Sequence, residues 1–326
     1  MAGRFRWGIL GPGNIARKFG AGVRLSETSE VALVGSRNLG RAEAFCAEFG
    51  GRAVGSYEAV LAAEEVDGVY IATPHHLHAE LTIAAAQAGK HVLCEKPCAL
   101  RESDARRAIE ACQAAGVLFC EAYLYRTHPL TAQVMDVVRS GRLGEIRHIA
   151  AEFAFGAVDD WQNVRTVLEY GGGGLMDVGV YPVSYAMMVF GSEPGRVSYL
   201  FEKSESGYDG WGTGSMIFEG GRTVSFGCGI HVQMENRVRI YGTKGMLDVS
   251  RPWDCTEGFR VKNHGFDEWE EFEGIKADRF SNEVDVFVRS LDQGFVATMT
   301  PDDSLAVMRT LDRLRIDGGL VFPGDP

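Results

Sequence analysis

At 326 residues, 45% hydrophobic and 24% charged, the chain has an ordinary globular composition, no low-complexity tract and length enough for two domains. A formal net charge of −11 without any basic run argues against nucleic acid as a main partner, and no stretch approaches the roughly 20 apolar residues of a bilayer span. Seven scattered cysteines with no CxxC pair, and an N-terminus that runs straight into a strand without a secretory segment, lead us to expect reduced thiols in a cytoplasmic protein.

Short apolar runs rich in Val, Ile and Leu read as buried strands at Phe5–Leu10, Val31–Ser36, Val66–Ala72, His91–Glu95 and Val117–Ala122. Helical stretches alternate with them at Asn14–Leu25, Gly40–Phe49, Leu77–Ala88 and Asp104–Ala115. Gly89 and Gly116 stand where helix C-terminal glycines belong, and Ser103 is placed to cap the helix after it. This alternation predicts a doubly wound parallel sheet over residues 1–122. Beyond it come a helix near Thr131–Ser140, a strand at Ile146–Phe155, glycines at 171–174 and a helix at Leu175–Phe190. Short strands at Val197–Lys203, Gly212–Phe218, Thr223–Cys228 and Arg237–Tyr241 have antiparallel texture. Helices at Phe280–Leu291 and Pro301–Leu314 close the chain, and the last has room to pack back on the first domain. The expectation is an α/β protein: a parallel-sheet domain over 1–122, then a second α/β domain over 123–326 built on an open, mainly antiparallel sheet.

The first strand ends in Gly11-x-Gly13-x-x-Ala16, with Asn14 and Ile15 opening the helix. Gly11 permits the tight turn, Gly13 lets a pyrophosphate approach the backbone, Ala16 lets helix and strand pack closely, and the helix N-terminus offers N–H groups. In this strand–turn–helix setting the pattern predicts dinucleotide binding and a Rossmann domain. The second strand ends in Ser36-Arg37, where an NAD enzyme carries Asp or Glu for the ribose hydroxyls. A serine hydroxyl and a guanidinium suit a 2′-phosphate, so NADP is favoured, with NAD possible. The fourth strand ends in Thr73-Pro74-His75-His76-Leu77-His78. With no carboxylate or thiolate nearby, these histidines make a poor metal set. We expect Thr73, Pro74 and His78 to line the cofactor, and no metal.

The fifth strand ends in Glu95-Lys96-Pro97, aiming Lys96 into the cleft where a nicotinamide would lie. Asp177 and Tyr181, four residues apart on one helix, share a face. Hydride exchange with an alcohol needs a group that handles the hydroxyl proton. A tyrosine near an ammonium can do so, because positive charge favours the phenolate. Lys96 can supply the charge and Asp177 can orient lysine or substrate. Tyr123, Phe153, Phe155 and Trp161 are candidates for an apolar pocket wall, although such aromatics are more often ordinary core or dimer interface.

The succession Gly11-Pro12-Gly13-Asn14-Ile15-Ala16, Glu95-Lys96-Pro97, Glu121–Pro129 and Asp177–Tyr181 resembles the Gfo/Idh/MocA oxidoreductases over essentially the whole chain. It is most similar to the branch holding NADP-dependent D-xylose dehydrogenases, dimeric dihydrodiol dehydrogenases and glucose–fructose oxidoreductase. The resemblance implies that Lys96 and Tyr181 are the catalytic pair with Asp177 beside them, that Glu95 and Arg126 lie near the cofactor, and that Arg126 also reaches substrate. It implies dimerisation, or a dimer of dimers, through the C-terminal sheet, and a sugar or polyol substrate. A trans-dihydrodiol, or a dicarbonyl or deoxysugar substrate, remains open. So does a non-catalytic NAD(P)-binding sensor, though such relatives tend to lose the lysine or the tyrosine.

Overall fold

The structure is a computed structural model and describes residues 3–156 and 164–325. The chain divides into two compact units, one of Met1–Thr127 with Asp278–Leu305 and one of His128–Ala277 with Ala306–Pro326.

In the first unit six parallel strands, β1 (Phe5–Leu10), β2 (Ser29–Gly35), β3 (Arg52–Val54), β4 (Gly68–Ile71), β5 (His91–Glu95) and β6 (Phe119–Ala122), lie in the order β3-β2-β1-β4-β5-β6. That order is the Rossmann arrangement, whose halves diverge beside β1 and leave a crevice at the strands' carboxyl ends. The expected strands are all present. β3 and the short helix Tyr57–Leu61 were not anticipated, because segments of three and five residues give no periodic signal. The helix expected from Gly40 starts at Leu39 and is capped by the Asn38 side chain. Ser103 does not cap its helix: that helix starts at Glu102, so Ser103 lies inside the first turn. Between sheet and helices Phe19 stacks on Tyr70 with ring centroids 3.8 Å apart, and Trp7 packs edge-on against Phe19.

The segment that returns to this unit carries the helix Arg279–Arg289, and the division at residue 122 did not foresee it. This helix packs on Asn14–Leu25 through Gly22, where an added Cβ would meet the Phe280 main-chain carbon at 2.8 Å. The last helix, Pro301–Gly318, belongs mainly to the second unit from Ala306 onward.

The second unit is built on eight strands: β7 (Ile146–Ala154), β8 (Arg196–Lys203), β9 (Asp209–Ile217), β10 (Thr223–Gly229), β11 (Arg237–Gly242), β12 (Gly245–Ser250), β13 (Phe259–Asn263) and β14 (Glu270–Phe272). Their order is β14-β13-β12-β11-β7-β10-β9-β8, antiparallel except for the β7–β10 pair. The sequence reading stopped at β11 and missed the last three strands. One sheet face is covered by the buried helix 175–190, whose Gly179 backs on Cys228 of β10. The other face leaves Leu200 and Trp211 exposed.

Replacing Gly22 by Ala should destabilise the protein by about 1–3 kcal/mol through overpacking against Phe280. Denaturant unfolding reads this directly. An unchanged midpoint would contradict the packing of the returning helix on the first unit.

Candidate active site

In the first unit the candidate residues collect at the carboxyl edge of the parallel sheet. Gly11 adopts φ +90, and its N–H donates to Gly35 O (3.2 Å) while its carbonyl accepts from Gly13 N (2.8 Å). A side chain there would press on Ala72 O at 3.0 Å, so only glycine makes this turn without strain. Gly13 then opens the helix Asn14–Leu25 with no side-chain cap, and among the described residues nothing lies within 4 Å of where its Cβ would stand. Uncapped N–H groups facing open space are what a pyrophosphate requires, so the residues fit a dinucleotide. Asn14 is exposed and Ile15 half-buried beside the turn. Thr73 is buried, with an Oγ1 that has no hydrogen-bond partner among the described residues, and Pro74 is half-buried beside it.

Ser36 and Arg37 follow β2. The Ser36 Oγ accepts from Asn38 N (3.2 Å) and Arg37 is exposed. Burial, and then the Arg37 charge, depress the His76 imidazole, so the guanidinium stands in reach of the loop after β4. Sequence reading gave His76 no part there.

Lys96 is half-buried, and its surroundings fix its main chain. The Glu95 carboxylate accepts from the Tyr70 hydroxyl and from Lys96 N (3.3 Å). The Pro97 carbonyl meets His78 Nδ1 at 2.8 Å, and Cys98 N donates to Glu121 Oε1 at 2.9 Å. His78, expected to line the cofactor, stands between these two loops. It is fully buried, with Nε2 2.8 Å from Thr73 O, and it ties the loop after β4 to the turn after β5. Burial holds its imidazole down at about 4, so at neutral pH it donates to one carbonyl only.

Two more of the expected residues are buried. Arg126, expected at nicotinamide or substrate, is 5% exposed; Nη1 donates to Thr298 O (3.0 Å) and stands 3.8 Å from Asp303 Oδ1, bracing the returning segment. Tyr123, a candidate for the pocket wall, is 1% exposed and packs edge-on to Tyr125. Glu121, by contrast, carried no signal beyond its place in a motif.

In the second unit Asp177 and Tyr181 share the helix 175–190, which begins as a π-helix over Leu175–Gly179 before continuing as α-helix. Such π-turns recur at functional sites. Asp177 is buried and its Oδ2 accepts from Arg165 Nε at 2.7 Å. The Arg165 guanidinium also lies 5.8 Å from the Phe155 ring centroid. Tyr181 is half-buried against Phe153 (4.9 Å, edge-on) and Trp253 (5.6 Å). Phe153, Phe155, Trp253 and Arg165 therefore frame the Asp177–Tyr181 face. Trp161 lies outside the described residues. Neither Arg165 nor Trp253 was legible beforehand: one stands in an irregular stretch, the other in a turn, and no spacing links them to the helix.

Residues 5–123 match the profile of the oxidoreductase family with an NAD-binding Rossmann fold, and residues 131–248 match the GFO/IDH/MocA C-terminal domain. A D-xylose 1-dehydrogenase (NADP(+)) of Haloferax volcanii is 31% identical over 320 residues, 94% of this chain and 95% of that protein. The bovine trans-1,2-dihydrobenzene-1,2-diol dehydrogenase is 34% identical over 262 residues, 77% of this chain and 76% of that protein. The crystal structure of a 3-ketoreductase from Actinomadura kijaniata, in complex with NADP and TDP-benzene, superposes with a TM-score of 0.90 at 29% identity, covering 97% of this chain and 98% of that one.

Burial holds the Glu121 carboxyl up at about 7. A raised carboxyl favours folding in its protonated form. Its contribution is full below the unfolded value of about 4.3 and is lost as pH rises through the folded value. Glu121→Gln, which keeps an acceptor for Cys98 N, should therefore unfold at higher temperature than the native chain at pH ~8, the gap closing towards pH ~4. A gap independent of pH would contradict a buried, raised carboxyl.

Proposed function

Since the chain belongs to the Gfo/Idh/MocA oxidoreductase family, we propose that it transfers a hydride between NADP and a carbon bearing a hydroxyl or carbonyl in a sugar or cyclic polyol. The observation that carries this reading is the Asp177–Tyr181 face, borne by a chain that also has a dinucleotide turn and a main-chain-anchored lysine. The uncapped turn at Gly11–Gly13 would hold the pyrophosphate, and Ser36 with Arg37 the 2′-phosphate. The bound nucleotide supplies or accepts the hydride at its nicotinamide ring.

In this reading Tyr181 gives or takes the hydroxyl proton at its phenolic oxygen, and Lys96 has the role that the family resemblance implies, the other member of the catalytic pair. Arg165 holds the Asp177 carboxylate oriented beside Tyr181. A second reading, oxidation of an aromatic trans-diol, is favoured by the half-buried Phe153 ring edge-on to Tyr181, which suits a flat apolar ring.

A homodimer through the open sheet face is also proposed. Leu200 is 69% and Trp211 47% exposed, on a face that includes Ala150, Thr213, Ser225 and Gly227. Exposed large apolar residues on so flat a surface favour a protein partner. All seven cysteines are free thiols, which suits a reducing, cytoplasmic setting.

The reading is tested by nicotinamide absorbance with NADP and NAD across aldopentoses, aldohexoses, inositols and a trans-dihydrodiol. Tyr181→Phe and Lys96→Ala should each lower kcat about 10²–10⁴-fold, and the double variant little more than the worse single one. Turnover intact in either would overturn the roles assigned. Arg37→Ala should weaken NADP binding about tenfold or more while leaving NAD within about twofold. Equal losses for both nucleotides would contradict the 2′-phosphate assignment. Leu200→Glu with Trp211→Glu should convert the dimer to a monomer in light scattering; an unaltered dimer would place the interface elsewhere.

A further inference from the structure

The Asp177–Tyr181 helix starts in an unusual way. Its N-cap is Gly174, which has no side chain to offer, so the first N–H groups need partners from elsewhere. One comes from across the sheet. Asp209, the first residue of β9, is fully buried and its Oδ2 accepts from Leu175 N at 2.7 Å and from the Tyr199 hydroxyl at 2.6 Å. The carboxylate thus sits at the helix's positive end, where an anion is favoured.

The glycines exist to admit it. Gly173 adopts φ +117, and a Cβ there would fall on Asp209 Oδ1. Gly174 lies against Gly229 Cα, 3.1 Å from where its own Cβ would be. The same turn closes a ring around Asp177. Gly173 N donates to Arg165 O (2.9 Å), the Gly173 carbonyl accepts from Asp177 N (3.1 Å), and the Arg165 side chain returns to the Asp177 carboxylate. Asp209 is therefore beneath both the start of the helix and the arginine that orients Asp177. Its other oxygen, Oδ1, is buried against Gly173, in the space that a side chain there would take.

We propose that Asp209 is a positioning residue for the reaction: its carboxylate sets the Gly172–Gly174 turn and so the placement of Asp177 and Tyr181. This deepens the reading given under Proposed function and rests on it. Asp209 touches no ligand; its effect passes through the main chain of Gly173–Leu175.

The test compares Asp209→Asn and Asp209→Ala with the native full chain, on the folded fraction of each. Asparagine keeps an oxygen for Leu175 N and loses the charge; alanine loses both. The expected result is a kcat per folded molecule lowered about 100-fold in Asp209→Ala, as for a small misplacement of reacting groups, and about tenfold in Asp209→Asn, with NADPH affinity by fluorescence unchanged in both. A kcat per folded molecule equal to native in Asp209→Asn, or equal losses in both variants, would overturn the proposal. Should Asp209→Ala fail to fold, Asp209→Asn alone decides. Amide hydrogen exchange provides a reading independent of turnover. The amides of 174–178 should exchange about tenfold faster in Asp209→Asn, and unchanged protection there would equally overturn the anchor. A native chain silent on every sugar and diol, with these amides responding as stated, would sink the substrate reading and leave the anchor standing.

Discussion

A lysine that must act on a neighbouring group has to be aimed by its main chain, because its own stem is long and rotatable. In the parallel-sheet unit that constraint organises everything at the carboxyl edge. The residues around Lys96 are gripped from three sides: the Tyr70 hydroxyl on Glu95, the His78 ring on the Pro97 carbonyl, and the Glu121 carboxyl on Cys98 N. None of these three groups presents itself to a ligand. The His78 ring lies between the Pro97 and Thr73 carbonyls, with one N–H to donate to one of them, and so joins the loop after β4 to the turn after β5.

The second unit solves a similar problem with similar chemistry. There Tyr181, proposed to carry the proton, stands on a helix whose first N–H is held by the buried Asp209 carboxylate. Glu121 and Asp209 are alike in more than type. Each is fully buried, each accepts a main-chain N–H at a turn leading to a functional side chain, and burial raises each above the ordinary carboxylate range, to about 7 and about 6. Burying a carboxyl is unfavourable, and the accepted N–H bonds offset only part of that cost. Stability given up at such places is characteristic of sites where geometry matters more than packing. Arg165 adds a third device, a partly exposed guanidinium that fixes the buried Asp177.

Much of this architecture could be read from residues alone, and the reasons are specific. Gly11 and Gly13 announce the turn because only glycine accepts that backbone and leaves that space. The absence of an acid after β2 separates NADP from NAD by charge. Short parallel strands betray themselves as continuous apolar runs, whereas β3 and β14 have three residues each and no pattern to betray. Motif position put Tyr123, His78 and Arg126 near the edge of the sheet, but position does not say how deeply a side chain is buried, and all three are buried. Arg165, Trp253 and Asp209 reach the site from segments distant in sequence, so no local spacing can reveal them.

The central claim is direct hydride transfer between a carbinol carbon and NADP, and isotope transfer tests it most directly. A sugar accepted as substrate would be supplied with deuterium on the carbon to be oxidised, and the reduced nucleotide recovered and inspected by NMR. The account predicts deuterium at a single face of the nicotinamide ring and a primary isotope effect on turnover. Reduced nucleotide free of deuterium would contradict it, as would product that keeps its label.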